Sequence, residues 1–236
     1  MKQPMVVGNK GEIGRFILDG LLRIMPKAMD VWCVDINENE KEVLDRIKVA
    51  DVIFVCVPMQ DTLKWLLKYK IALKGKIILE QCSLKSWLFK NEKLDDLDIR
   101  SMHILFRPSQ TPNLDDRNVA LFKNQFNDIP AIIMPIDIIK ITQGKIVWYE
   151  NVKEHDKDMA IQQALLHRTI LVLDKILKTC NGSTFISKRL NELADRIKKG
   201  NADLYSMIQD NEQLPKKIEW IKKELDSFDI KKFMLV

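Results

Sequence analysis

Three glycines spaced three residues apart carry the first readable chemistry. They stand in Gly8-Asn-Lys-Gly11-Glu-Ile-Gly14, between the apolar run Met5–Val7 and a stretch with helical apolar spacing. A strand that turns sharply into a helix needs glycine where the chain bends, where a phosphate approaches the backbone, and where helix meets strand. The helix start then offers unpaired N–H groups and the positive end of its dipole to an anion. Asp35 follows the next apolar run, twenty-one residues beyond Gly14. A carboxylate there can accept hydrogen bonds from an adenosine ribose, which favours NAD and repels the extra phosphate of NADP. Gly8, Gly11, Gly14 and Asp35 are thus expected to bind a dinucleotide, with Asn9, Glu12 and Ile13 in the same turn as further candidates. The spacing departs by one residue from G-x-G-x-x-G, which leaves the part of Asn9 open. A structural turn with a surface Asp is the plainer reading.

The chain has three histidines, His103, His155 and His167. An imidazole titrates near neutrality and can take or give a proton. His103 follows an apolar stretch and precedes Ile-Leu-Phe-Arg-Pro108, which places it where a strand opens into a loop. In an open α/β sheet, ligands gather at the carboxyl ends of the strands. Ser83, just after the run Lys76–Glu80, can reach the same crevice. Gln163 and His167 lie four apart and share a helix face. Such a face lines a site or meets solvent, and periodicity leaves both open.

The elements that must position these groups alternate in type. Residues 3–7, 30–35, 51–58 and 76–80 read as strands, and 11–25 and 60–70 as helices. The run Asp51–Pro58 fits a strand covered on both faces. This alternation predicts a parallel sheet, an N-terminal Rossmann-type doubly wound α/β domain over 1–150. Between 99 and 149, the runs Ile99–Leu105, Asn118–Phe122, Ala131–Met134 and Lys145–Tyr149 read as further strands. Strand signals then vanish. A continuous helix is expected over 156–178, with others near 184–199, 202–210 and 214–226. These form an all-α domain over 151–236, small enough to need a partner for its apolar faces.

Composition excludes several classes. The 38 basic and 33 acidic residues leave a charge of +5. The Lys pairs are interleaved with acids, so no basic stripe argues for nucleic acid. No apolar run approaches a membrane span. The four cysteines lack metal-like spacing, no metal site is expected, and free thiols suit a reducing compartment. With an N-terminus that reads as a strand rather than a leader, a cytoplasmic location is expected.

Several segments, taken in chain order, resemble the prephenate dehydrogenase family. Ala50-Asp-Val-Ile-Phe-Val-Cys-Val-Pro58 is similar to its Ala-Asp…Val-Pro strand. Ile78-Leu-Glu-Gln-Cys-Ser83-Leu-Lys85 resembles its strand with a Ser-x-Lys turn. Ser101-Met-His103-Ile-Leu-Phe-Arg-Pro108 resembles its His-Pro-Met-Phe-Gly-Pro loop. His155-Asp-x-x-x-Ala-x-x-Gln-Ala-Leu-x-His167 is similar to the opening helix of its second domain. Arg189-Leu-x-Glu-Leu-Ala-x-Arg196, with Asp203-Leu-Tyr205, resembles the helix with its substrate arginine. The likeness runs from residue 5 to about 210.

The resemblance implies NAD-dependent oxidative decarboxylation of prephenate to 4-hydroxyphenylpyruvate, a step of tyrosine biosynthesis, with arogenate as the rival substrate. It implies that His103 accepts the substrate hydroxyl proton and that Ser83 bonds the same hydroxyl or orients His103. Arg196 holds a substrate carboxylate, His167 and Gln163 line the substrate pocket, and Val57 and Pro58 border the cofactor. His155 supports the helix start and the domain junction. A homodimer through the helical domains is also implied. Two departures stand out: Ile104 replaces the family Pro, and Arg107 replaces the family Gly. Arg107 either meets a substrate carboxylate or marks altered specificity. A β-hydroxyacid dehydrogenase would need a catalytic Lys on the interdomain helix, where this chain has His155, Gln163 and His167. A non-catalytic NAD-binding protein is the remaining alternative.

Overall fold

A computed structural model of the chain describes residues 3–25, 30–35, 37–126, 135–200 and 202–228. It divides into two compact units, Met1–His155 and Asp156–Val236.

The first unit is built on a seven-stranded sheet of order β2-β1-β3-β4-β5-β6-β7. The strands are β1 (Pro4–Val7), β2 (Trp32–Val34), β3 (Val52–Val55), β4 (Ile77–Glu80), β5 (Asp98–Ile104), β6 (Asn118–Phe122) and β7 (Lys145–Tyr149). Every neighbouring pair is parallel except β5 and β6. The chain leaves β1 toward β2 and returns past it to β3, so the order reverses beside β1. That reversal opens the crevice at the carboxyl ends where ligands of such sheets bind. β1 and β3 are buried throughout, as their unbroken apolar runs require.

Helices cover both faces. α1 (Glu12–Ile24) and α7 (Pro135–Thr142) bury Ile17, Leu21, Ile138 and Ile141 against Val6, Phe54, Leu79 and Met102. A Cβ at Gly20 of α1 would stand 2.3 Å from the Ile141 carbonyl oxygen, so glycine is what lets these helices touch. α2 (Glu40–Val49), α3 (Met59–Lys68), α4 (Lys70–Leu73) and α5 (Ser86–Phe89) lie on the other face, where Val43, Ile47, Trp65, Leu66, Leu73 and Leu88 meet Met5, Ile53, Val55 and Ile78. Each such side chain contributes about 1.5–3 kcal/mol on burial. A short α6 spans Lys123–Phe126.

α7 was not expected from the sequence. Its Ile-Asp-Ile-Ile-Lys-Ile run is rich in β-branched residues, which favour strands, yet Ile138, Ile141 and Thr142 are the buried positions, which is helical spacing. The strand expected at Ala131–Met134 falls outside the described residues.

The helix expected at 156–178 begins earlier and is not uniform. α8 (Val152–Met159) passes into a π-helical turn at Ala160–Leu165 and then α9 (Leu166–Leu177). Each π turn holds one extra residue, which rotates the face that follows. In the second unit, α10 (Phe185–Lys198) starts at a capping box between Thr184 and Ser187 and packs along α9. α11 (Ala202–Gln209) and α12 (Leu214–Asp226) pack on the π turn through Ala164, Leu165, Ile208 and Leu214. No helix among the described residues is long and apolar enough to cross a membrane.

Candidate active site

The glycine turn joins β1 to α1 as its spacing requires. Gly8 has φ +81°, and a Cβ there would stand 2.9 Å from the Cys56 carbonyl oxygen. A Cβ on Gly14 would stand 2.1 Å from the Gly8 carbonyl oxygen, closer than any real contact. The outer glycines are thus demanded by the chain's own packing. At Gly11 a Cβ would meet only the Gly8 oxygen, at 3.3 Å, so its other side is open to an approaching ligand. Gly11 is also the N-cap of α1 and supplies no side-chain cap. The N–H groups of Glu12, Ile13 and Gly14 therefore have no partner within the helix.

Polar groups gather around this turn. Asp35 follows β2, and its Oδ2 accepts from the Lys10 amide at 3.3 Å. Val57 and Pro58 follow β3. Val57 is buried against Gly8, and Pro58 is the N-cap of α3. Asn9 Oδ1, Gln60 Oε1 and both amide atoms of Gln81 are buried without a hydrogen-bond partner. These residues follow β1, β3 and β4 respectively, at the carboxyl ends of the strands. A buried polar atom without a partner costs about 1–3 kcal/mol, so such a set is suited to a polar ligand.

His103 is the penultimate residue of β5 and only 4% exposed. Its Nδ1 lies 2.9 Å from Nε2 of His155, a residue of α8. The His155 ring is fully buried and packs edge-on against Phe122 and Tyr149, with centroids at 5.4 and 5.2 Å. Burial, the His155 ring and the Lys85 ammonium hold the His103 imidazole well below its usual range, so it is neutral near pH 7.

Beside it lies a buried ion pair. Lys85 Nζ donates to Glu80 Oε1 at 2.8 Å and to the Met102 carbonyl at 3.0 Å, and both side chains are wholly enclosed. Glu80 also accepts from the Cys82 amide at 2.7 Å and from the Ser101 hydroxyl. The network fixes the turn after β4 that carries half-buried Ser83, and it ties that turn to β5 one residue before His103.

From the sequence, His155 is expected to support the helix start and the domain junction. The structure adds a contact that reading did not include: the His155 ring meets the His103 ring. Its signal was a polar ring on the apolar stripe of α8, where His155 and Met159, four apart, are both buried. Gln60 and Gln81 were also missed; single amides beside apolar strands carry no periodic signal. Arg107 is on Glu12: its Nε lies 2.9 Å from Glu12 Oε2, and Ser109 N–H donates to Glu12 Oε1 at 2.8 Å. Phe106 packs edge-on against Phe16 at 5.5 Å. The loop after β5 is thereby fastened to the first turns of α1.

Three further candidates lie in the second unit. Gln163 is in the π turn, and its Oε1 is buried without a partner. His167 Nδ1 is likewise orphaned; its ring meets Tyr205 edge-on at 5.0 Å, and burial lowers its pKa. Arg196 is an exposed residue of α10.

A mostly parallel open sheet, a glycine turn into an uncapped helix and an acid after the neighbouring strand define the Rossmann class of dinucleotide-binding folds. No protein-family model matches the sequence, and no curated protein matches it. Among solved structures, the chain resembles prephenate dehydrogenase from Aquifex aeolicus, with 16% identity, 100% of this chain and 92% of that chain covered, and a TM-score of 0.72. It also resembles Synechocystis arogenate dehydrogenase, with 19% identity, 95% and 89% covered, and a TM-score of 0.67. A more distant likeness is to a semialdehyde dehydrogenase NAD-binding protein from Cupriavidus necator in complex with calcium and NAD, with 13% identity, 94% and 99% covered, and a TM-score of 0.51. The chain therefore has the fold of the prephenate and arogenate dehydrogenases.

Proposed function

We propose that this chain is an NAD-dependent dehydrogenase of the prephenate dehydrogenase family, catalysing oxidative decarboxylation of prephenate to 4-hydroxyphenylpyruvate on the route to tyrosine. The observation that carries the reading is a buried, neutral His103 near the carboxyl end of β5, in the sheet whose β1 end carries the glycine turn.

The residues present fit the cofactor. The free N–H groups of Glu12, Ile13 and Gly14 suit a pyrophosphate, with Gly8 and Gly11 leaving it room. Asp35 suits the ribose hydroxyls, Val57 and Pro58 border the same crevice, and the unpartnered Oδ1 of Asn9 can accept a hydrogen bond from a ligand hydroxyl or amide. NAD, when bound, supplies the acceptor for a hydride.

As oxidation proceeds, carbonyl character develops at the ring carbon that bears the hydroxyl, and the ring carboxylate leaves as carbon dioxide. The hydroxyl proton then needs an acceptor, and His103 takes it on Nε2. Ser83 bonds the same hydroxyl. In the second unit, Arg196 supplies a forked guanidinium for a substrate carboxylate, and Gln163 and His167 supply polar atoms that still lack partners. Exposed Val172, Ile176, Phe185 and Ile186 on α9 and α10 support a homodimer, to be checked by sedimentation.

Absorbance at 340 nm tests the reading, with prephenate and arogenate each offered with NAD and NADP. The reading expects turnover with prephenate and NAD. Faster turnover with arogenate transfers the assignment to that substrate, and no reduction with either would overturn it.

A further inference from the structure

We propose that His155 is a positioning residue that holds the proton of His103 on Nδ1 and so leaves Nε2 bare to accept the substrate's proton. This rests on the dehydrogenase reading above. A neutral imidazole carries one hydrogen on its two nitrogens. Two ring nitrogens 2.9 Å apart must therefore be one donor and one acceptor. If His155 donated, His103 would carry its hydrogen on Nε2 and have no lone pair left for the reaction. If His103 donates from Nδ1, Nε2 is free and His155 carries its own hydrogen on Nδ1.

The surroundings hold the pair together. His155 is wholly buried between Phe122 of β6 and Tyr149 of β7, so water does not compete for its Nε2. Lys85, ion-paired with Glu80, lies on the His103 side, and buried Asp156 follows His155 on α8. When His103 takes a proton on Nε2 it becomes an imidazolium, and its Nδ1–H bond to the His155 Nε2 becomes charge-assisted. The proton on Nε2 comes from the substrate O–H, whose electron pair forms the carbonyl as the hydride leaves the same carbon. The proton later leaves His103 from Nε2.

The test is nitrogen NMR on the full chain labelled with ¹⁵N-histidine. Only three histidines need assignment. Near pH 7.5, the proposal expects His103 protonated at Nδ1 and bare at Nε2, with an N–N coupling across the hydrogen bond to His155. A proton on His103 Nε2 overturns it, and this measurement needs no variant.

Two substitutions extend the test to catalysis. His155→Phe keeps the ring volume but removes the acceptor. His103 then shifts toward the Nε2–H form, and kcat falls about 10- to 100-fold while the KM for prephenate stays within about twofold. His155→Gln returns an acceptor oxygen and restores kcat to within about fivefold of the wild type. Equal losses in both variants, or an unchanged tautomer in His155→Phe, would overturn the role. An inactive wild type with the proton on Nδ1 overturns the reaction and leaves the imidazole pair standing. An active wild type with the proton on Nε2 overturns the pair alone.

Discussion

Replacing Gly14 with alanine probes the glycine turn through its geometry. The added Cβ would fall 2.1 Å from the Gly8 oxygen, 2.7 Å from the Gly8 carbon and 3.0 Å from the Asn9 Cα. All three are backbone atoms, so no side chain can swing away. Reaching even the closest tolerated contact requires α1 and the turn to part by about 0.9 Å. The same Gly8 oxygen accepts from the Gly11 amide at 3.0 Å, so moving it weakens the turn's own hydrogen bond. Overpacking of this kind costs about 1–3 kcal/mol, or roughly 1 M in the urea midpoint for a chain of this size. It also moves the first-turn N–H groups, and NAD should bind at least about tenfold more weakly. Urea unfolding followed by fluorescence, with an NAD titration by tryptophan quenching, reads both effects. Gly182→Ala is the control, because its Cβ meets nothing within 4 Å and its φ is not positive. If Gly14→Ala keeps the wild-type midpoint and NAD affinity, the steric reasoning fails.

Three more outcomes follow from the same geometry. The folded-state pKa of His103 lies below its usual value of 6.5, so below that pH the unfolded chain binds the proton first. Stability is present above pH 6.5 and is lost on acidification at up to about 1.4 kcal/mol per unit; His103→Asn should flatten the fall in urea midpoint between pH 7.5 and 5.5, and an equally steep fall would contradict the assignment. Lys85→Met strands Glu80 as a buried charge and should cost about 3–5 kcal/mol, whereas the double change Glu80→Leu with Lys85→Met should recover much of it; a double variant no more stable than the single one would argue against the pair. Asp35→Ala should raise NADP affinity relative to NAD by about tenfold or more in paired titrations, and an unchanged ratio removes Asp35 from the ribose site.

Much of the fold was legible because buried parallel strands leave an unbroken apolar signal. Met5–Val7 and Val52–Val55 are buried at every residue, and α1 shows its Ile17 and Leu21 stripe plainly. α7 was not legible: its eight residues are rich in β-branched side chains, and tertiary packing on α1 decides their conformation. The π turn also left no mark, because Ala-Ile-Gln-Gln-Ala-Leu reads equally well as ordinary helix. Within the site, the glycine turn was legible because glycine is demanded there sterically. The His103–His155 contact joins residues 52 apart, and local spacing carries no trace of such a pairing. Arg107 shows the same limit, since its partner Glu12 is 95 residues away.

The proposed function rests on His103 as the proton acceptor of an NAD-linked oxidation. The most direct measurement is turnover of prephenate at 340 nm by His103→Asn beside the wild type, with NAD affinity measured on both. A fall in kcat of about two to four powers of ten with NAD binding unchanged is expected. Near-normal turnover in His103→Asn would contradict it.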